Sequence, residues 1–453
     1  YLPNNSFYAF LPKSFNFNLL PSALTGLLEI TPDIKIDPAS WNTQSTQIIK
    51  VHYFENANSG EVVKSLVAFG YDVVRINEVF HTIYIRNNQK DNAFLNIAEI
   101  YWAEFEHAPL LADNLPSTTN HRVNVVASIS RSGKGLTGKG VKLGEWDAAD
   151  VGKHDDYNRR LILVKKVGVH THATHVAGTM AGAGNIDIYA RGMAPEATIY
   201  SWDFNDDITL EMDTNYKKLG YTISQNSYTY DPAYDPCNIR GTYDITSEDL
   251  DKMVFKYPQL LHVFAAGNSR SSNCKSGGYK TIPTGFQAAK NVLDVAAVTE
   301  FDADGGFSCM GPTRDGRLKP EITAVGVNVY STQPNNTYGG GWSGTSMACP
   351  GVSGSSALLY EYFKAKTGSF PEAHLAKNIL CNSADEIGNI GPDYKYGYGR
   401  INMKRALVLV DSNRIAVDSI KHNKADFYNI KVPKGTYQVK IMLAWSDPSS
   451  APS

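Results

Sequence analysis

Charge is scarce in this chain. Charged residues make up 19% of the 453, and 43 Lys+Arg nearly cancel 45 Asp+Glu, leaving a net charge of −2. Nucleic acids and anionic membranes call for a basic surplus, and nothing here supplies one. No stretch approaches the ~18 consecutive apolar residues of a membrane span. Cysteine is sparse as well: Cys237, Cys274, Cys309, Cys349 and Cys381 allow at most two disulfides and leave one thiol over. There is no internal repeat and no low-complexity tract. The first residue is Tyr1 rather than methionine, which fits an N-terminal signal either removed or never part of this sequence. What is there is a chain 42% hydrophobic, rich in Tyr, Asn, Ser and Thr, a composition that allows an exported protein without demanding one. Its length suits two or three domains.

Residues 1–45, rich in Pro, Asn and aromatics, form an N-terminal extension with no assignable element. From 46 to 106 the pattern sharpens. "QIIKVHYF", "YDVVRI", "FHTIYIR" and "YWAEFEH" read as strands, and "GEVVKSLVAFG" and "DNAFLNIAEI" as helices. The order βαββαβ is that of a small split-βαβ domain. Residues 107–120 read as an exposed linker. From 121 to 411 strands such as "GVKLGEW", "ATIYSWDF", "YTISQNSY" and "LLHVFAAGN" alternate with helices, which predicts an α/β domain with a parallel sheet covered on both faces. Residues 412–453 alternate as strands around the turn Pro433-Lys434-Gly435, which predicts the beginning of a C-terminal β-sandwich that the chain stops too early to close.

Ligands in parallel α/β folds bind beyond the carboxyl ends of the strands. Four polar positions stand out there. Asp147 follows "KLGEW"; alone it is a turn former or helix cap. "HTHATHVAGTMAGAG" carries His170, His172 and His175. A zinc reading fails on spacing, because the two-histidine helix motif needs a separation of four with Glu beside the first His. Asn268 leaves a buried strand through Gly267. Ser346 lies between Gly344-Thr345 and an apolar helix carrying Pro350, where free backbone N–H groups and the helix dipole favour negative charge. A lone serine at such a place is merely an N-cap. Together the residues run Asp…His…Ser, with gaps of 25 (172−147) and 174 (346−172), an order that serine hydrolases use.

Three motifs then make the set specific: "HATHVAG", "AAGN" and "GTSMACP". Over roughly residues 120–410 the chain resembles the subtilisin-like serine proteases (subtilases, peptidase family S8). The resemblance implies a subtilisin-like fold and a serine endopeptidase with Asp147, His172 and Ser346 as triad. It makes Asn268 the oxyanion donor, and Ser227, Tyr228, Ala265 and Gly267 the substrate contacts. It implies no cofactor for catalysis, although structural calcium is compatible with it. The βαββαβ unit resembles the propeptide of such enzymes, an intramolecular inhibitor or chaperone. A secreted, monomeric enzyme acting on extended polypeptides is expected, with neither nucleic acid nor membrane as partner. Three positions depart from the family pattern: Ala148-Ala149 after Asp147, Ala173 for Gly, and Thr229 where the substrate strand normally turns through Gly. The alternatives are an inactive subtilase fold used for binding, and an adhesin whose sandwich does the work.

The cysteines complete the expectation. Cys237 follows the substrate strand and Cys274 lies six residues beyond Asn268, so the ends of neighbouring strands put both on one rim. They are expected to pair. Cys349, three residues past Ser346, is expected to be inert packing, with Cys309 a lesser candidate partner for it.

Overall fold

The computed structural model of the chain describes residues 31–32, 35–36, 48–86, 91–105 and 114–452, except 131–132, 206, 272–273, 275–276 and 413. Most of the stretch 1–45, and 107–113 of the expected linker, lie outside the described residues. The chain divides into two compact units, residues 1–110 and 111–453.

The small unit contains β1 (Ile48–Tyr53), α1 (Ser59–Ala68), β2 (Asp72–Asn77), β3 (Thr82–Arg86) and β4 (Ile100–Phe105). Its sheet has the order β2-β3-β1-β4, with β1 antiparallel to both neighbours. Alternation in β1 buries Ile49, Val51 and Tyr53, and Val62 and Leu66 of α1 cover them. The Asn58 side chain caps α1 by accepting from the Glu61 N–H. The expected second helix is instead a single 3-10 turn, Ala93–Asn96. Phe94, Leu95 and Ile97 are all buried within four positions. One tight turn can bury them together, whereas a ten-residue amphipathic helix would expose part of the set.

The second unit holds strands β5 (Lys142–Asp147), β6 (Asp150–Val151), β7 (Leu161–Leu163), β8 (Val169–His170), β9 (Thr198–Asp203), β10 (Ile223–Asn226), β11 (Leu261–Ala265), β12 (Leu293–Val298), β13 (Ile322–Val325), β14 (Val329–Gln333) and β15 (Thr337–Trp342). Its helices are α2 (Leu115–Asn120), α3 (Val123–Ala127), α4 (Thr171–Ala181), α5 (Ile208–Leu219), α6 (Ile245–Lys256), α7 (Thr345–Thr367), α8 (Ala373–Ser383) and α9 (Met403–Asp411). Seven strands form one sheet in the order β13-β12-β11-β10-β5-β9-β7, every pair parallel. From β5 the chain builds first toward β9 and β7, then crosses to β10 and continues the other way. The direction therefore switches between β5 and β10, where a crevice opens beyond the carboxyl ends.

Period-two alternation sorts β5 between two cores. Leu143 joins the cluster containing Ala173 and Ala177 of α4 and Ala348 and Val352 of α7. Trp146 joins the opposite cluster, with Trp202, Met212 of α5 and Leu250 of α6. The Trp146 and Trp202 rings stack at 4.3 Å. Helix α7 is rich in small residues because it is buried on nearly every side. A Cβ on Gly354 would lie 2.4 Å from the Met180 carbonyl, so only glycine lets α7 approach α4 this closely. Glu145, on the same face as Leu143, is fully buried, and among the described residues neither carboxyl oxygen has a partner. Burial, and then the nearby Asp147 charge, push its pKa well above the usual carboxylate range.

Two sequence expectations change here. The linker does not reach residue 120: α2 belongs to the second unit, with Asn114, Ser117 and His121 buried. The start of a β-sandwich at 412–453 does not form either, for the described residues from 414 onward contain no strand. An alternating apolar pattern yields a strand only where a neighbour completes the ladder. Here Phe427 and Tyr437 are left exposed. The segment is tied down instead by side chains, as where Asn291 exchanges two 2.8 Å hydrogen bonds with the Asp447 backbone.

Candidate active site

Asp147 ends β5 at the switch point and is 2% exposed. Its carboxylate faces the first turn of α4, where His172 Nδ1 lies 2.9 Å from Oδ1 and 2.8 Å from Oδ2. The Ala148 backbone N–H donates to Oδ1 at 2.7 Å, so the missing hydroxyl side chain is replaced by the main chain. The other two histidines are placed elsewhere. His170 caps α4, its Nδ1 accepting from the His172 N–H. His175 is buried against the Val329 carbonyl, and burial lowers its pKa to about 3. Among the described residues no three His, Cys, Asp or Glu side chains gather as metal ligands.

Ser346 is the second residue of α7, two places past the Gly344 cap. Pro350 explains its surroundings. Proline has no N–H, so the carbonyl four residues back, that of Ser346, loses its helical donor. Ser227 fills the vacancy: its hydroxyl donates to the Ser346 carbonyl at 3.0 Å, while Ser346 Oγ donates to the Ser227 carbonyl at 3.2 Å. Behind them Gln225 Nε2 donates to Ser227 Oγ at 2.6 Å, and Gln225 Oε1 accepts from Ser353 and Cys349. A buried polar chain thus runs from the middle of α7 through β10 to the backbone of Ser346. Cys349 is held as a thiol, burial raising its pKa to about 12.

Asn268 leaves β11 beside this turn. Its Oδ1 accepts from the Thr345 N–H at 2.8 Å and from the Thr345 hydroxyl at 3.0 Å, which fixes the amide with Nδ2 as its free end. Gly344 is extended, so its role is spatial. A Cβ placed there would lie 3.4 Å from Asn268 Nδ2 and 3.6 Å from the Ser346 nitrogen. Two donors therefore border one small space beside Ser346. Gly267, with φ at 98°, makes the sharp exit, and its N–H donates to Thr345 Oγ1 at 3.1 Å. Ser227 and Tyr228 directly follow β10, and Ala265 ends β11 beside it.

Cys237 and Cys274 form a disulfide with Cα atoms 5.3 Å apart, and Arg240 Nη1 donates to the carbonyl of Ser269, next to Asn268. Closing a loop of 37 residues stabilises by about 3–4 kcal/mol on a chain-entropy estimate. Cys309, Cys349 and Cys381 remain free and buried, so the pairing of Cys309 with Cys349 is not made.

A profile of the subtilase family matches residues 142–399, more than half of the chain. The chain belongs to the subtilase family. It is similar to subtilisin DY of Bacillus licheniformis, with 29% identity over 298 residues, covering 64% of this chain and 98% of that protein. It is likewise similar to subtilisin NAT of Bacillus subtilis subsp. natto, with 26% identity over 317 residues, covering 68% of this chain and 75% of the other. Among solved structures, the Clostridium perfringens CspB protease aligns with a TM-score of 0.54 at 15% identity, covering 67% of this chain and 100% of that one, a likeness of fold. The chain is accordingly a serine endopeptidase, a hydrolase of peptide bonds.

Several residues of this subtilase's site escape the sequence reading. Gln225 was hidden in "YTISQNSY", which was read only as a strand. The β14–β15 hairpin was readable, since Asn335 and Asn336 both take positive φ, at 65° and 58°, as hairpin turns require. It delivers Trp342, whose ring stacks on His175 at 4.8 Å and lies 6.3 Å from His172. Glu145 stands two residues before Asp147 in the same strand, and a charged residue at that depth was the signal to look for.

Proposed function

We propose that Ser346 is the nucleophile, His172 its general base and Asp147 the group that orients His172. The observation that carries this is the Asp147 carboxylate on His172 Nδ1, which leaves Nε2 as the basic nitrogen. Serine is a weak nucleophile at neutral pH and needs that base. In the resting geometry Ser346 Oγ donates to the Ser227 carbonyl; it turns to the imidazole when substrate arrives, as resting hydrogen bonds in such sites often tighten only with substrate. Attack on the scissile carbonyl forms a tetrahedral oxyanion in the space beside Gly344. The Ser346 N–H and Asn268 Nδ2 stabilise it there. His172 then passes its proton to the leaving amine, and water hydrolyses the acyl-enzyme. These side chains supply nucleophile, base and oxyanion donor, so the proposed reaction needs no cofactor.

Ser227, Tyr228, Ala265 and Gly267 receive an extended peptide as an added strand, a mode that favours backbone over sequence. Protein substrates with little sequence demand follow, from a monomer acting outside the cell. No described helix is long and apolar enough to cross a membrane. A fluorophosphonate probe tests the core of the reading. It should label wild-type protein on Ser346, and absence of label from folded protein would refute the assignment.

Asn268→Ala is expected to lower kcat by about 10²–10³, the magnitude known for this kind of donor in subtilisin itself, with little change in KM. Steady-state kinetics on a chromogenic peptide checks it. An effect confined to KM would reduce Asn268 to a substrate contact.

The small unit is read as a propeptide that assists folding, since a parallel sheet rich in non-local contacts folds slowly unaided. Because α2 is packed into the second unit, self-processing is expected before Asn114, within or just ahead of the segment 107–113. N-terminal sequencing of active enzyme should find a start between 108 and 114. An active species that always retains Tyr1 on the same chain contradicts this.

A further inference from the structure

Gln287 sits in the single 3-10 turn Phe286–Ala288 between β11 and β12, and it is fully buried. Its Nε2 donates to the Tyr228 carbonyl at 2.9 Å and to the Ala265 carbonyl at 3.1 Å. Those carbonyls belong to two different loops, one continuing β10 and the other ending β11 ahead of Asn268. Oε1 has no partner among the described residues, so the amide's placement is set by its two N–H groups alone. A flipped amide would set oxygen against two carbonyl oxygens, which fixes the orientation.

The turn that carries Gln287 is itself rigid. The Ser247 hydroxyl of α6 donates to the Gly285 carbonyl at 2.6 Å. Gly285 has φ at 84°, the left-handed region in which glycine costs little. Phe286 packs edge-on against Tyr228 at 5.4 Å and stacks with Phe264 of β11 at 5.5 Å. Rings and amide from one turn therefore grip both loops at once. No other uncharged side chain of this length puts two donors on a single atom: Glu has none when ionised, and Met has none at all.

We propose that Gln287 is a positioning residue for substrate binding: its carboxamide pins the Tyr228 and Ala265 walls at a fixed separation, which sets the room for the substrate side chain next to the scissile bond. The inference rests on the reading of those two residues as cleft walls. It predicts that loss of the clamp disturbs how peptides bind and which side chains are accepted, while Ser346, His172 and Asn268 keep their chemistry.

The test uses the full chain, with active sites titrated by the fluorophosphonate probe. Gln287→Met keeps length and approximate volume but removes both donors. In kinetics per titrated site it should raise KM for an extended peptide about tenfold, with kcat within threefold, since misplacement of about 1 Å at a site costs up to 10²-fold. Its preference between large and small side chains before the scissile bond should also shift. Parental KM and parental preference in titrated Gln287→Met would overturn the proposal whatever its melting temperature, because a purely structural role lowers the titrated fraction and leaves KM alone. Should that variant fail to accumulate, Gln287→Asn carries the test with the same expected rise in KM. It keeps both donors on a shorter stem that cannot span the two carbonyls, and parental kinetics in it are equally decisive against. Wild-type protein that takes no label at Ser346 would instead remove the protease reading itself, and with it the clamp.

Discussion

Ser346→Ala is expected to remain folded and to hydrolyse peptides about 10⁶-fold more slowly than the parent, the scale of nucleophile loss known for subtilisin. The fold should survive because what Ser346 gives the structure is mostly main chain. Its carbonyl still takes the Ser227 hydroxyl, and Thr345 still fixes Asn268 through two hydrogen bonds. Only the Oγ donation to the Ser227 carbonyl is lost, a bond whose net worth is about 1 kcal/mol. The residual rate should come from the oxyanion donors and substrate binding. Casein cleavage by purified Ser346→Ala protein, with thermal melting as control, decides it. Cleavage at a rate near the parent's would end the triad assignment.

Asp147→Asn should cost about 10⁴ in kcat, a magnitude seen for the same change in another triad. The local hydrogen bonds say why. The Ala148 N–H donates to one carboxylate oxygen at 2.7 Å. In an asparagine that oxygen stays where it is, and the NH₂ turns toward His172. Nδ1 must then accept rather than donate, so the imidazole's proton moves to Nε2. A histidine protonated there cannot take the Ser346 proton. The variant's shape should be unchanged, which makes rate against pH and thermal melting a clean pair of measurements. A loss below tenfold would mean that Asp147 does not orient His172.

Short-range physics made much of this molecule readable in advance. Strands ending in polar residues placed Asp147 and Asn268 at one rim of a parallel sheet, and the helix opening after Gly344 placed Ser346 there as well; Ser227 came only with the family resemblance. The cysteine pair followed from the same strand ends. Misreadings came where local pattern and tertiary partner part company. Residues 414–452 alternate like strands, yet no described strand pairs with them. "DNAFLNIAEI" has helical spacing, but three hydrophobic residues had to be buried in one turn. Long-range polar contacts could not be read at all. Nothing in the string around Gln287 points to two carbonyls 59 and 22 residues away. Gln225 reads as one more strand residue until α7 lies against it.

Glu145 also ties this enzyme to the acidity of its surroundings. A carboxyl in an unfolded chain titrates near ~4.3 and is ionised at neutral pH. Burial, and then the nearby Asp147 charge, raise the pKa of the same group well above that value in the folded chain, so it keeps its proton to a higher pH than it would unfolded. Folding at a pH between the unfolded and folded pKa values therefore draws hydrogen ions from the medium on account of this residue. A raised carboxyl contributes stability that is complete below its unfolded pKa and drains away as pH climbs toward the folded one. Mild acid thus favours this part of the sheet and alkali loosens it. The strand that presents Asp147 to His172 is, in this sense, a proton store laid beneath the reaction it supports.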